Sequence, residues 1–265
     1  MTAVFTQFIQ DIEELSLSGE ISLSLVIPAY NEENRLRKTI DEVVAFAAHQ
    51  DFPVEVIIVN NNSTDNTQQI VDEAAAEFPF IRGLIEKTQG KGAAVRSGML
   101  ASVNEYLFIC DADLSMPLDE VLKFMPPNLK DYDIAIASRE ARGAVRIDEP
   151  PFRHFIGRIF NLIVRIFAVR GFDDTQCGFK CFKREVAQDL FPLQTIEGWS
   201  FDVELLHVAQ RRGYLIKEVP ITWYYKNNSK IKPFRDAIKM FRDVLKIRWN
   251  AWRGKYDIRG EYAGE

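Results

Sequence analysis

The chain has 265 residues, 47% of them hydrophobic and 27% charged, and its 33 Lys+Arg against 38 Asp+Glu give a formal net charge of −5. This is the composition of a folded protein long enough for one large α/β domain or two small ones, and it excludes disordered, collagen-like and disulfide-scaffold classes. Cys110, Cys177 and Cys181 are too few and too unsuitably spaced for a disulfide framework or a four-ligand zinc site, which points to buried free thiols in a reducing compartment.

The charge is graded along the chain. Residues 1–79 hold 3 basic and 14 acidic side chains, residues 80–225 balance, and residues 226–256 hold 10 basic against 2 acidic. A basic C-terminal block on an acidic protein suggests an anionic partner for that end. Residues 1–20 carry acids and no base, unlike a secretory signal. No apolar run reaches the roughly eighteen residues of a membrane span, the longest candidate, 155–169, being cut by Arg158, Asn161 and Arg165. A cytoplasmic chain is the expectation.

Ile21–Ile27 reads as a buried strand bounded by Pro28, and Leu36, Ile40, Val43, Val44 and Ala47 recur with helical spacing across 33–48. Val54–Val59 is a second strand, followed by the turn-forming Asn60-Asn61-Asn62-Ser63-Thr64-Asp65 and a helix over 66–77 that Thr64 or Asp65 can cap. A short strand at 83–85, a helix over 91–102 and a strand over 105–110 continue the alternation, which implies a parallel sheet with right-handed crossovers. Beyond them lie a strand at 131–137, helices over 152–169 and 200–212, and a strand over 216–223. Pro233 opens a last helix to about Trp252, as proline commonly does at a first helical position.

Four parallel strands bring their carboxyl ends to one edge, where ligands bind in open α/β sheets. Asp111 and Asp113 alternate there, so a turn can aim both carboxylates into one cleft, and hard oxygen donors suit Mg²⁺ or Mn²⁺. The same spacing also serves a capping or solvated turn. Gly90-Lys91-Gly92-Ala93-Ala94 opens a helix that can offer N–H groups and the Lys91 charge to phosphate, or let the helix approach the sheet closely. It is neither a P-loop, since Gly92 follows Lys91, nor a dinucleotide fingerprint, since no G-x-G-x-x-G follows the first strand. His49, His154 and His207 stand apart from one another without a paired Asp–Ser arrangement, so no catalytic role falls to them.

Val26-Ile27-Pro28-Ala29-Tyr30-Asn31-Glu32-Glu33, Asn62-Ser63-Thr64-Asp65-Asn66-Thr67, Gly90-Lys91-Gly92 and Asp111-Ala112-Asp113 occur in the order and spacing of family 2 inverting glycosyltransferases. The chain resembles that family over residues 21–250. Asp174-Thr175-Gln176-Cys177-Gly178-Phe179-Lys180, Trp199-Ser200-Phe201-Asp202-Val203-Glu204-Leu205 and Asn228-Ser229-Lys230-Ile231-Lys232-Pro233 look like its dolichyl-phosphate glucosyltransferase branch.

The resemblance implies an α/β, Rossmann-like GT-A fold with a mostly parallel central sheet flanked by helices. It also implies a nucleotide-sugar donor, Mg²⁺ or Mn²⁺, and a polyprenyl-phosphate acceptor. By position, Pro28, Tyr30 and Glu32 would line the nucleoside pocket, Lys91 would lie near the donor phosphates, and Asp111 and Asp113 would hold the ribose and the metal. Arg139 and Arg153 match arginines that related mannosyl-phosphate synthases place on the acceptor phosphate, and Asp202 matches the acceptor-side carboxylate. Where relatives read Asp-Asp-Gly-Ser, this chain reads Asn60-Asn61-Asn62-Ser63. An Asn60 amide accepts the imide N–H of uracil, whereas the paired donors of guanine suit a carboxylate, which favours a UDP-sugar over a GDP-sugar; the other reading is that these asparagines only form the turn.

The organisation expected is an N-terminal extension (1–20), one catalytic domain (21–232, with a nucleotide-binding half 21–117 and an acceptor half 118–232), and a basic amphipathic helix and tail (233–265). The reaction expected is metal-dependent, inverting transfer of a hexose, glucose from UDP-glucose, onto a dolichyl or undecaprenyl phosphate. A phosphate monoester, with a second pKa of about 6, is already an ionised nucleophile, so arginine clamps outweigh a base; with a hydroxyl acceptor Asp202 becomes the base. Transfer to a soluble or glycan hydroxyl and a non-catalytic nucleotide-sugar binder are the alternatives. Two segments point to an anionic membrane surface. One sets the stripe Phe155, Ile156, Ile159, Phe160, Ile163, Ile166 and Phe167 beside Arg153, Arg158, Arg165 and Arg170. The other, the last helix, interleaves Phe234, Ile238, Phe241, Leu245, Trp249 and Trp252 with Arg235, Lys239, Arg242, Lys246 and Arg253. Such helices either lie on lipid without spanning it or pack as core helices with a solvated face. No nucleic-acid motif accompanies the basic residues, and the oligomeric state stays open.

Overall fold

The structure, a computed structural model, describes residues 21–257 apart from 152, 153, 155, 156, 159, 160, 162, 163, 165–167 and 227–232, and the side chains of 233–237. Arg153, the apolar stripe Phe155 to Phe167, the Asn228–Lys232 motif and both termini lie outside the described residues.

Strands β1 (Leu23–Ala29), β2 (Val54–Asn60), β3 (Ile81–Ile85) and β4 (Tyr106–Ile109) pair in parallel in the order β3-β2-β1-β4. Helices α1 (Leu36–Ala48), α2 (Thr67–Glu77) and α3 (Lys91–Ala101) connect them. β1 and β2 are apolar along almost their whole length because helices cover both faces of the sheet. α3 lies so close to β1 that a β-carbon at Gly98 would fall 2.4 Å from Val26 Cγ1, which settles what this glycine is for.

After a 3₁₀ turn (Leu118–Phe124), β5 (Ile134–Ser138), β7 (Lys180–Lys183) and β8 (Ile216–Pro220) widen the sheet to seven strands, ordered β3-β2-β1-β4-β7-β5-β8. β7 is antiparallel to both neighbours, and β6 (Val145–Ile147) pairs in parallel with β9 (Thr222–Tyr224) in a small second sheet. Helices α4 (Arg184–Leu190), α5 (Phe201–Arg212) and α6 (Pro233–Trp252) complete the fold. One core layer joins the α1 and α2 side to the sheet, and the other joins α3, α4 and α5 to it. α6 enters the second layer through Val244, Ile247 and Ala251. No described helix is long and apolar enough to cross a membrane.

The sequence reading placed a single strand over 216–223. The chain instead leaves the main sheet at Pro220, and Ile221 N–H donates to Ser138 O before β9 joins the second sheet. β7 was not expected, because Lys180 and Lys183 bracket only two apolar residues. α1 begins at Leu36, three residues later than its spacing suggested, because Asn31, Glu32 and Glu33 are engaged elsewhere: their amides donate to Ser63 Oγ, Thr67 Oγ1 and Asp65 Oδ2. In return Asn31 Oδ1 accepts from Thr64 N–H at 2.8 Å, and Glu33 Oε2 from Asn66 N–H at 3.1 Å. The motifs after β1 and β2 are thus two sides of one zipper. The N-cap of α2 is Asn66, whose side chain makes no cap bond, and Asp65, one residue earlier, accepts the amide of Thr67, the first helical residue, rather than capping the helix.

Candidate active site

The strand order reverses between β1 and β4, which opens a crevice outside their carboxyl ends. A cleft of about 1140 Å³ occupies it. Pro28, Tyr30 and Glu32 from the end of β1, Lys91 from α3, and Asp111 and Asp113 from the turn after β4 line one part. Arg139, Arg146, Asp174, Trp223 and Lys226 line another, and Asp202 from the start of α5 lies on the wall as well.

On the β1 and β4 side, Lys91 Nζ reaches Asp111 Oδ1 at 2.5 Å and stands 5.5 Å from the centre of the Trp199 ring. Burial alone would lower the Lys91 ammonium; the charges of Asp111 and Asp202 outweigh it and hold the group above its ordinary value. Asp113 Oδ1 accepts the Ser115 amide at 2.9 Å. A β-carbon at Gly178 would sit 2.3 Å from Asp111 Oδ2 and 2.9 Å from Lys91 Nζ, so only glycine leaves room for this pair. At the start of α3, Gly90 has φ of 146°, a conformation suited to glycine, and its N–H donates to Asn61 Oδ1 at 2.8 Å. Ala93 N–H donates to Glu197 O. Two amides of this helix start are therefore satisfied within the chain, and the Lys91 ammonium is the group it directs at the carboxylates.

The other side is built on Arg139. Its Nε and Nη2 donate to both oxygens of Asp174, at 2.7 and 3.0 Å, and its guanidinium lies 5.3 Å from the Trp223 ring centre. Burial would raise the Asp174 carboxyl, but the charge and hydrogen bonds of Arg139 prevail and hold it at about 2. Arg146 is gripped by Glu140 and Glu149, and His154 Nε2 lies 2.9 Å from Glu140 Oε1.

Between the two sides stands Asp202, 4% exposed. Burial pushes its carboxyl upward against the lowering charges of Lys180 and Lys91. The loop before α5 is tied down by Glu204, whose carboxylate accepts from Thr195 N–H, Ile196 N–H, Thr195 Oγ1 and Tyr256 OH. Asn250 Nδ2 donates to Thr195 Oγ1 and Ser200 Oγ to Asp243 Oδ2, so α6 holds the same loop. Lys239, Met240, Asp243 and Lys246 of α6 face the cleft.

Of the residues the sequence singled out, Pro28, Tyr30, Glu32, Lys91, Asp111, Asp113, Arg139 and Asp202 meet in this cleft. Asn60 does not line it. Its Oδ1 accepts the Ser63 amide at 3.1 Å and its Nδ2 donates to Gln68 at 2.6 Å, so its side chain closes the turn at the head of α2. Asn61 lines the cleft instead, with Nδ2 donating to Thr88 O at 2.7 Å. Asn61, Trp199, Trp223, Arg146 and Lys180 were not singled out individually. Asn61, Trp199 and Lys180 sit inside motifs already marked, and Trp223 and Arg146 carry no local signal.

For a divalent cation the fit rests on Asp111 and Asp113. Among the described residues no three His, Cys, Asp or Glu side chains come close enough to form a ligand cage. Two carboxylates at the mouth of a cleft are nevertheless what Mg²⁺ or Mn²⁺ needs when substrate phosphates and water complete the shell.

Among solved structures, glucosyl-3-phosphoglycerate synthase from Mycobacterium tuberculosis in complex with uridine diphosphate aligns with a TM-score of 0.61 at 19% identity, covering 96% of this chain and 87% of that one. The same synthase in complex with Mn²⁺, uridine diphosphate and glucosyl-3-phosphoglycerate aligns with a TM-score of 0.61 at 17% identity over 97% and 87% of the two chains. The fold is therefore that of the GT-A glycosyltransferases. More particularly, the chain belongs to glycosyl transferase family 2, whose family model matches residues 24–191. Its curated relatives include a dolichyl-phosphate beta-glucosyltransferase of Trichomonas vaginalis, 38% identical over 86% of this chain and 71% of the relative. Another, from Drosophila melanogaster, is 38% identical over 89% and 78%, and one from Dictyostelium discoideum is 33% identical over 96% and 82%.

Proposed function

We propose that this glycosyltransferase moves glucose from UDP-glucose, with inversion, onto a polyprenyl phosphate at an anionic membrane surface. The names of the curated relatives support glucose and a dolichyl-phosphate acceptor, and the fold neighbours solved with uridine diphosphate and Mn²⁺ support the donor class and the metal. The observation that carries the reading is the division of one cleft into a carboxylate–lysine side, Asp111, Asp113 and Lys91, and an arginine side, Arg139 and Arg146.

In this reading Pro28, Tyr30 and Glu32 flank the nucleoside, with Asn61 behind them. A divalent cation held by Asp111 and Asp113 supplies positive charge for the departing diphosphate. Lys91 supplies a second, fixed positive charge beside Asp111, in place before the reaction begins. On the arginine side, the Arg139 guanidinium, paired with Asp174 and held rigid by it and by Trp223, is the group placed to donate to an anionic acceptor. A phosphate acceptor arrives ionised, so the buried Asp202 orients the nucleophile or the sugar and need not take a proton. Arg153 belongs to the same acceptor role by sequence position.

α6 supports the membrane surface. Ile238, Phe241, Leu245, Trp249 and Trp252 are exposed at 56%, 41%, 49%, 55% and 76%. They form one stripe, opposite the side that packs Val244, Ile247 and Ala251, with Arg242 and Arg248 beside it. An apolar stripe edged by cations suits the headgroup boundary of anionic lipid.

The test is a transfer assay with the full chain, pairing UDP-, GDP- and dTDP-sugars with a short polyprenyl phosphate in the presence of Mn²⁺. Glucosyl transfer from UDP-glucose to the lipid phosphate is expected, and no lipid product under any pairing would overturn the acceptor assignment.

A further inference from the structure

Lys180 is one of the largest fully buried side chains in the protein. Lysine almost never reaches that state unless its charge is paired, because an ammonium taken out of water loses its hydration. It stands in β7, in register with Ile109 of β4 on one side and Ile136 of β5 on the other, in the middle of the sheet. Its Nζ donates to Cys177 O at 2.5 Å and lies 3.1 Å from Asp202 Oδ1, an ion pair whose angles fall short of a hydrogen bond.

Lys180 also occupies the centre of an alternating run of charge beneath the cleft. Arg139 pairs with Asp174, Lys180 acts electrostatically on both Asp174 and Asp202, and Lys91 acts on Asp202 while pairing with Asp111. The Cys177 carbonyl that Lys180 holds precedes Gly178, whose backbone packs against the Asp111 carboxylate. One ammonium therefore braces two things at once, the Asp202 carboxylate and the turn that seats Asp111.

We propose that Lys180 is a positioning residue for the transfer reaction, fixing Asp202 in its orientation toward the cleft and tying it to the turn beneath Asp111. The inference rests on the acceptor-side role given to Asp202 above. The charged groups acting on Asp202 are Lys180 of β7, Lys91 of α3 and Asp111 after β4, so loss of Lys180 removes the nearest of its two cations.

The experiment uses the full chain carrying Lys180→Met, Lys180→Arg, Asp202→Asn, or Lys180→Met with Asp202→Asn, assayed for transfer from UDP-glucose to a short polyprenyl phosphate. Lys180→Met is expected to lower kcat by about tenfold or more, as misplaced reacting groups do, while the donor KM changes less than about threefold. The acid limb of its kcat profile moves to higher pH, and Lys180→Arg recovers part of the rate. In the Asp202→Asn background, Lys180→Met has clearly less than its full effect on kcat, what remains being the loosened turn beneath Asp111. A folded Lys180→Met chain with unchanged kcat, or a full additional loss in that background, overturns the inference. If Lys180→Met alone does not fold, the comparison of Asp202→Asn with the double variant, which carries neither charge, decides on its own. An inert Asp202→Asn substitution would instead sink the role of Asp202, and with it this inference; Asp202→Asn impaired beside a normal Lys180→Met sinks the inference alone.

Discussion

Gly178 and Asp111 are in contact with no space for a side chain between them: a β-carbon on Gly178 would lie 2.3 Å from Asp111 Oδ2. The obstructing atoms are the ends of flexible side chains, Asp111 and Lys91, so the chain can absorb an added methyl by moving them. Gly178→Ala should accordingly leave thermal stability within about 1 kcal/mol while displacing the carboxylate. Calorimetric titration is expected to show UDP and Mn²⁺ binding weakened about tenfold or more. Undiminished binding would mean that Asp111 does not touch the donor or its metal.

Asp113 lies two residues on and accepts the Ser115 amide, so its position is set by its own turn. Asp113→Asn keeps that acceptor and removes the charge. Turnover should fall by about 10²–10³, the usual loss on deleting a preorganised electrostatic partner. Transfer rates measured against Mn²⁺ concentration check this; a variant with the parent's rate and metal dependence would return the pair to a structural role.

The Arg139–Asp174 pair predicts acid sensitivity with a definite sign. Asp174 is held at about 2, below its ordinary 3.8. A carboxyl lowered by folding contributes stability above its unfolded value and loses it as pH falls through the folded one. The pair should therefore contribute about 2 kcal/mol at neutral pH, lost progressively between about pH 4 and pH 2. Asp174→Asn, which leaves Arg139 facing a neutral amide, should cost about 3 kcal/mol at pH 7 and flatten that acid limb. Urea unfolding of both chains across this pH range is the measurement, and parallel curves would refute the linkage.

Trp249 and Trp252 stack with ring centres 5.0 Å apart, and Arg253 lies 5.9 Å from the Trp249 ring centre. Both indoles are largely exposed, so Trp249→Ala with Trp252→Ala should not disturb the core. Sedimentation with vesicles containing anionic lipid should show binding weakened about tenfold or more, given about 1.5–3 kcal/mol per buried large apolar side chain. Neutral vesicles should bind the parent chain more weakly than anionic ones, and equal binding would contradict the electrostatic part.

The donor half was legible because its chemistry is local. β1, β2 and β4 are mostly apolar strands, and Pro28, Tyr30, Lys91, Asp111 and Asp113 each sit within a few residues of a strand or helix end. Asn60 and Asn61 show the limit of that reading: both follow β2, and only tertiary hydrogen bonds to Gln68 and Gly90 decide which of them turns to the cleft. The acceptor half depends on partners far apart in sequence, as with Arg139 and Asp174. β7 escaped notice because it has a lysine at each end of only two apolar residues, and the first of them, Lys180, is buried beside Asp202 rather than exposed. The polar–apolar alternation that reveals strands reports hydrophobicity, and a lysine neutralised by tertiary contact does not register in it.

α6 faces the cleft with Lys239 and Asp243 and solvent with Phe241 and Trp249. A helix with its side chains is about 10–12 Å across. If the outer face rests at a lipid headgroup boundary, floor and roof of the reaction chamber are separated by the width of that single helix. A phosphate on a long isoprenoid then needs to rise only about that far to be glycosylated, its hydrocarbon staying immersed while the nucleotide enters from water.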